Sequence, residues 1–282
     1  MNKSLKSASA VQPTPGRFGL IGGVGPDASS DLYMRVVAAY QARMRGAYPD
    51  VVMHSIPLPS RLEQAFVRGY FDAAEETEVD RLLTQSLDVL EGSGASCVGL
   101  ACNTLHTYLR PLVRNRGIEL LDMVDAALCR LRDSGHRRVL LLATAATVRS
   151  GLYSDRADEF GLEIVTPDEA GQDVVQTVIM DLLRFAKPDG PVAAMREFAA
   201  TLPADVDAVL YGCTDLTALR DHDIFAVPVV DSLSCLTDVC VDFLSREVAA
   251  ATPETAAAAA FESRSTDASG ASDSANLVAH SG

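Results

Sequence analysis

A parallel α/β fold is the class this sequence predicts, and three observations carry it. Short apolar runs alternate with longer segments of helical period from residue 17 to residue 248, the signature of strands joined by crossover helices. A glycine-rich loop, Gly22-Gly23-Val24-Gly25-Pro26, follows the first apolar run and opens the first helical segment. The third observation is a short internal similarity. Residues 94–105 (GASCVGLACNTL) and 205–216 (DVDAVLYGCTDL) both run strand, small residue, cysteine, polar pair, leucine. This is either coincidence or the mark of two similar α/β halves, each placing one cysteine where a strand ends and a helix begins.

Taken in order, residues 1–16 have no apolar run and read as a flexible arm. A strand over 17–21 (RFGLI) leads through the glycine loop into a helix over 27–45, with Asp27 as its N-cap. A second strand, 51–56, stops at Pro57, and a helix over 72–91 shows Val79, Leu82, Leu83, Leu87 and Leu90 on one stripe with acids opposite. Strand 97–101, helix 103–115, strand 118–121 and helix 123–134 follow. Then come strand 138–143, helix 150–160, strand 163–165 and two helices, 171–186 and 190–201, parted by the turn signal Pro188-Asp189-Gly190. Strand 206–211, helix 214–220, strand 227–230 and helix 232–248 complete the series. Residues 251–282, a five-alanine run and then mostly Ser, Thr, Asp and Gly, read as a disordered tail.

Composition narrows the function. With 282 residues, 48% hydrophobic and 22% charged, the chain can bury a sizeable core as one large domain or two modest ones. Its longest charge-free stretch, 92–109, contains Ser, Asn, Thr and His and so fails as a membrane span. The first 16 residues lack the apolar core of a signal peptide, so a cytoplasmic location is expected. A net charge of −14 opposes binding to nucleic acid or anionic lipid. It would also repel a small anionic substrate at long range, so recognising one needs placed arginines and helix N-termini. Only three lysines stand against 21 arginines, and two of them, Lys3 and Lys6, fall in the arm. Lys187 alone could hold a pyridoxal cofactor as a Schiff base, so no such cofactor is expected.

Six cysteines in a cytoplasmic chain do not read as a disulfide framework. Cys102 and Cys213 each fall at a predicted helix start, where backbone N–H groups and the helix dipole favour thiolate over thiol. Cys97 lies inside a strand, and Cys129, Cys235 and Cys240 lie inside helices, where cysteine serves as a small apolar filler. Cys102 and His106, four residues apart, share a helix face, but the chain has no CxxC or HxxxH pair to complete a zinc site. No metal is expected, and His106 reads as orienting local polar groups. The loop fits a loose dinucleotide fingerprint, Gly23-x-Gly25-x-x-Ala28, yet Pro26 removes an N–H from the phosphate cradle and the second strand ends without an acid for a ribose. Its glycines read instead as letting a small carboxylate approach the backbone.

The loop Gly22–Pro26 with Asp31-Leu-Tyr33, the segment Ala101-Cys102-Asn103-Thr104-Leu-His106 and Gly212-Cys213-Thr214-Asp215 together resemble the cofactor-independent aspartate/glutamate racemase superfamily. The segment 141–153, with Thr144, Thr147 and Tyr153, resembles the aspartate racemase branch. The likeness spans 18–244 and implies two pseudo-symmetric parallel-sheet α/β domains with the active site in the cleft between them. The first domain would hold 17–118 plus 231–250 and the second 119–230. By matching motif, Cys102 and Cys213 would be the catalytic thiols, and Asn103, Thr104, Thr147 and Thr214 would hold the α-carboxylate and α-amino groups. Gly23 and Val24 of the loop would border the substrate. Arg61 falls where aspartate racemases carry an arginine for the distal carboxylate, and Arg184 roughly matches a second cationic position. Asp215 stands where the family usually has Glu. The resemblance further implies a dicarboxylic amino acid as substrate, no cofactor, and a homodimer. A lyase or isomerase of a small dicarboxylate, and a non-catalytic amino-acid-binding protein, are the other classes open to this sequence. Neither gives an account of two thiols at equivalent strand ends.

Overall fold

The computed structural model describes residues 16–184 and 188–250. The tail, Lys187 and all of the arm but Gly16 lie outside the described residues. Two four-stranded parallel sheets form, and they share one topology. The first has the order β2-β1-β3-β4, from β1 (Arg17–Gly22), β2 (Asp50–Ser55), β3 (Cys97–Leu100) and β4 (Glu119–Leu120). The second has the order β6-β5-β7-β8, from β5 (Arg138–Leu142), β6 (Glu163–Val165), β7 (Ala208–Tyr211) and β8 (Val229–Asp231). Every predicted strand is present, and the repeat seen in the sequence falls on β3 and β7, which occupy the same place in their sheets.

Each sheet is covered on both faces, so its strands read as continuous apolar runs. Phe18 and Leu20 of β1 face α1 (Pro26–Arg43) and α10 (Ser232–Ala250), burying Leu32, Val36, Leu236 and Leu244. On the other face Ile21, Val98 and Leu100 meet Leu83, Leu87 and Leu90 of α3 (Ala73–Gly92) and Leu109 of α4 (His106–Val113). In the second sheet Val139 and Leu141 pack on Val124, Leu128 and Leu131 of α5 (Met123–Asp133). Leu140 and Leu142 pack on Val175 and Ile179 of α8 (Glu169–Leu183) and Met195 of α9 (Asp189–Ala199). Helix α10 touches both cores: Leu236, Cys240 and Leu244 join the first, and Cys235 the second. Among the described residues no helix is long and apolar enough to cross a membrane.

Four local expectations change. Helix α1 starts at Pro26 with Gly25 as N-cap, so Asp27 sits inside the first turn; proline's fixed φ and missing N–H suit it to the first helical position. A helix absent from the sequence reading, α2 (Ser60–Arg68), fills the region after Pro59. It buries Leu62 and Ala65, one turn apart, and ends on Gly69 in the left-handed region. The helix predicted over 103–115 begins only at His106. The one predicted over 150–160 is replaced by α6 (Ala145–Arg149), α7 (Ser154–Ala157) and a 3-10 turn at Asp158–Phe160. Thr144 caps α6 by accepting from the Thr147 N–H at 3.2 Å, and Gly151 at φ +67° breaks the run.

Candidate active site

In each sheet the crossovers leave in opposite directions from the two central strands, which opens a crevice beyond their carboxyl ends. Four loops therefore converge: those after β1 and β3 from one sheet, and those after β5 and β7 from the other. Cys102 and Cys213 each lie two residues past the last residue of β3 and β7, so the two sheets present their cysteines at equivalent register. Gly212 precedes Cys213 because a Cβ there would come within 2.5 Å of Leu141 Cδ1.

Hydrogen bonds join the loops of the two halves. The Thr104 hydroxyl lies 2.8 Å from that of Thr147 and 3.3 Å from that of Thr144, linking the loop after β3 to the loop after β5. Asn103 is buried. Its Nδ2 donates to the Ser232 hydroxyl at 3.1 Å, and its Oδ1 accepts from the fully buried Tyr153 hydroxyl at 2.5 Å. Two glutamines of α8 support the loop after β5: Gln172 donates to the Ala143 carbonyl at 3.0 Å and Gln176 accepts from the Ala145 N–H at 3.1 Å.

Cys213 is 7% exposed, and its thiol donates to Asp215 Oδ2 at 3.3 Å. Burial pushes this thiol well up, and the Asp215 charge and the Cys102 thiol add to the rise. Cys102 is half-buried; burial pushes it up to about 12, against the Leu105 and Thr104 N–H groups, which favour its thiolate. Asp215 is coupled to both thiols, and burial raises its own carboxyl. The lowered thiol pKa expected from helix starts is therefore overturned. Helix α4 begins four residues beyond Cys102, and Cys213 leads into a 3-10 turn (Thr214–Leu219), so neither sulfur meets the end of a long dipole while both lose solvent.

A cleft of about 400 Å³ opens beside Asp215. Asp27, Asp31 and Arg35 of α1 line it together with Thr214, Asp215, Arg220 and Asp221, and Leu182 and Pro188 also border it; of the predicted site residues it takes in Thr214 and Asp215 but neither cysteine. Arg184 is exposed at the C-terminal end of α8 and does not line this cleft. Arg61 stands apart on α2: its side chain is 60% exposed and pairs with Glu78 at 3.5 Å. Gly23 has a structural reason to be bare. At φ +85° a Cβ would collide with the Ile56 carbonyl oxygen and come within 2.7 Å of the Ile56 nitrogen, so its bareness serves the close approach of β2's own end. Val24 is buried in the apolar cluster with Ile56 and Leu62. No sequence pattern predicts the contacts of Tyr153, Thr144 or Gln172 beyond the Thr144-x-x-Thr147 spacing, which suits a helix cap.

Two parallel sheets of one topology with flanking helices, hydrogen-bonded to each other through their strand-end loops, define a two-domain α/β protein. The chain belongs to the Asp/Glu/Hydantoin racemase family, whose sequence model matches residues 21–240. It is similar to the broad specificity amino-acid racemase RacX of Bacillus subtilis, 23% identical over 224 residues that cover 78% of this chain and 94% of the relative. Among solved structures it is similar to an aspartate racemase of Picrophilus torridus (26% identity, TM-score 0.63, covering 81% of this chain and 94% of that one). An aspartate racemase homologue from Pyrococcus horikoshii shares the fold, at 22% identity and TM-score 0.66, covering 82% and 99%.

Proposed function

We propose that this protein is a cofactor-independent amino-acid racemase in which Cys102 and Cys213 act on opposite faces of the substrate Cα. The observation that carries the reading is the pair of thiols at equivalent ends of β3 and β7, both coupled to Asp215. Inverting a stereocentre takes proton removal on one face and delivery on the other, which one base cannot readily do. Two thiols sharing one proton fewer than two can exchange roles for the two enantiomers. Asp215, which accepts from the Cys213 thiol, is the group placed to take that proton and leave a thiolate. Thr104, Thr147, Thr214 and Asn103 would hold the α-carboxylate and α-amino groups and stabilise the carbanion by hydrogen bonding. A reducing cytoplasm would keep both thiols free, as the chemistry requires. The family likeness suggests a homodimer.

Aspartate is the substrate the Arg61 and Arg184 positions favour, with glutamate or a small dicarboxylate as alternatives. In that reading Arg61 leaves Glu78 when a distal carboxylate arrives. A second reading has its own support: the cleft carries four aspartates against two arginines, and RacX is named for broad specificity. Such a cleft suits a neutral or cationic side chain. The two are separated by measuring kcat/KM for aspartate, alanine and lysine with the wild type and R61L. If Arg61 binds the distal carboxylate, R61L loses about one to two orders of magnitude on aspartate and little on alanine. Equal losses, or a wild type that prefers alanine or lysine, overturn the aspartate reading and leave the racemase reading standing. Activity without added pyridoxal phosphate, and its persistence after dialysis against a chelator, are expected in both.

A further inference from the structure

His106 is fully buried, and both of its ring nitrogens are engaged by backbone. Nε2 lies 3.3 Å from the Met123 N–H, which can only donate, so Nε2 carries the lone pair. Nδ1 therefore bears the hydrogen and donates to the Cys102 carbonyl, 2.8 Å away. Burial lowers the pKa of the ring, so it stays neutral. Its other end is fixed in turn: Met123 is the first residue of α5, and Asp122, the cap of that helix, accepts from the Val124 and Asp125 N–H groups and is clamped by Arg110 at 2.6 and 2.9 Å. Within the same turn, the Thr104 and Leu105 N–H groups meet the Cys102 sulfur and favour its thiolate.

We propose that His106 is a positioning residue for the proton transfer: by holding the Cys102 carbonyl from α5, it keeps the turn 102–105 folded so that two N–H groups meet the sulfur. This rests on the reading of Cys102 as a reacting thiol. The other groups that face this sulfur, Asp215 and Cys213, come from the loop after β7 and do not touch His106.

The test compares H106N, H106Q and H106L with the wild type in the full-length protein. The pH dependence of Cys102 alkylation by iodoacetamide is followed by peptide mass spectrometry, with Cys213 read from the same digest, beside kcat and KM for racemisation. An asparagine amide nitrogen falls near the place of Nδ1 and can donate to the Cys102 carbonyl; a glutamine's falls near Nε2. H106N is thus expected to lie nearest the wild type, short of it by the lost Met123 contact. H106Q and H106L are expected to shift the Cys102 curve to higher pH by about one unit. They should lower kcat about tenfold, with KM within about twofold and the Cys213 curve moved less than that of Cys102. Asn and Gln variants that fall together, or a Cys102 curve unchanged in all three, would overturn the role. So would an H106N protein that does not fold, because ring shape rather than the Nδ1 donor would then be what the site needs. If H106L does not fold, the two polar variants carry the test. A wild type that racemises no amino acid defeats the racemase reading, and the alkylation curves still decide on His106.

Discussion

At the scale of single residues, the chemistry turns on two thiols that burial holds protonated and on a carboxyl that reaches one of them. Replacing Cys102 or Cys213 by Ser should lower racemisation by at least about a hundredfold with the circular dichroism spectrum unchanged; near wild-type turnover by either variant would remove that thiol from the mechanism. Because burial pushes the Cys102 thiol up to about 12, its alkylation at pH 7 should be slower than that of free cysteine and should rise steeply with pH. D215N replaces the carboxylate that takes the Cys213 hydrogen by a non-basic amide and removes the charge that raises both thiols, so the rise of kcat/KM with pH should move to lower pH while the plateau falls. The cysteines were legible because a cysteine followed by a polar pair after an apolar run recurs at two places. Their pKa values were not, since what strips solvent from a sulfur is the packing of distant segments. The same holds for Arg61, whose sequence position suggested a carboxylate partner and whose helix turns it outward to Glu78.

At the scale of elements, parallel strands buried on both faces were readable throughout, while helix starts were not. Pro26 and Gly25 take the role expected of Asp27, and α2, nine residues long behind Pro57 and Pro59, is too short to show a periodic apolar stripe. The loop after β1 yields a stability prediction. G23A imposes both a left-handed φ on alanine and a clash with the Ile56 backbone, so it should destabilise by about 2 kcal/mol or more, seen as a lower midpoint in urea. The α5 cap yields another. Burial alone would raise the Asp122 carboxyl, but the hydrogen bond and charge of Arg110 override it and hold it at about 2; its side chain is only 12% exposed. Its folded value lies below its unfolded one of about 3.9, so its contribution, about 2 kcal/mol, is complete above that pH and is lost as pH falls from about 4 towards 2. D122N should flatten that part of the stability curve, and an unchanged acid limb would show that Arg110 contributes nothing there.

At the scale of the whole molecule, two sheets of identical order meet at their carboxyl ends, and what binds them there is polar: Thr104 to Thr144 and Thr147, Asn103 to Tyr153 and Ser232, and Arg149 to the Gly69 carbonyl. The repeat 94–105 and 205–216 made the symmetry of β3 and β7 visible, whereas these cross-contacts join residues far apart in sequence and leave no local pattern. An arrangement that brings one thiol from each half makes a claim about where hydrogen goes. The measurement that tests it most directly is racemisation in deuterium oxide, started from one enantiomer of the preferred amino acid and sampled at low conversion by mass spectrometry after chiral separation. Two thiols on opposite faces predict that the newly formed enantiomer carries solvent deuterium at Cα while the unreacted one keeps its hydrogen. Product that retains the original hydrogen, or deuterium entering both enantiomers at equal rates from the start, would contradict the two-base account.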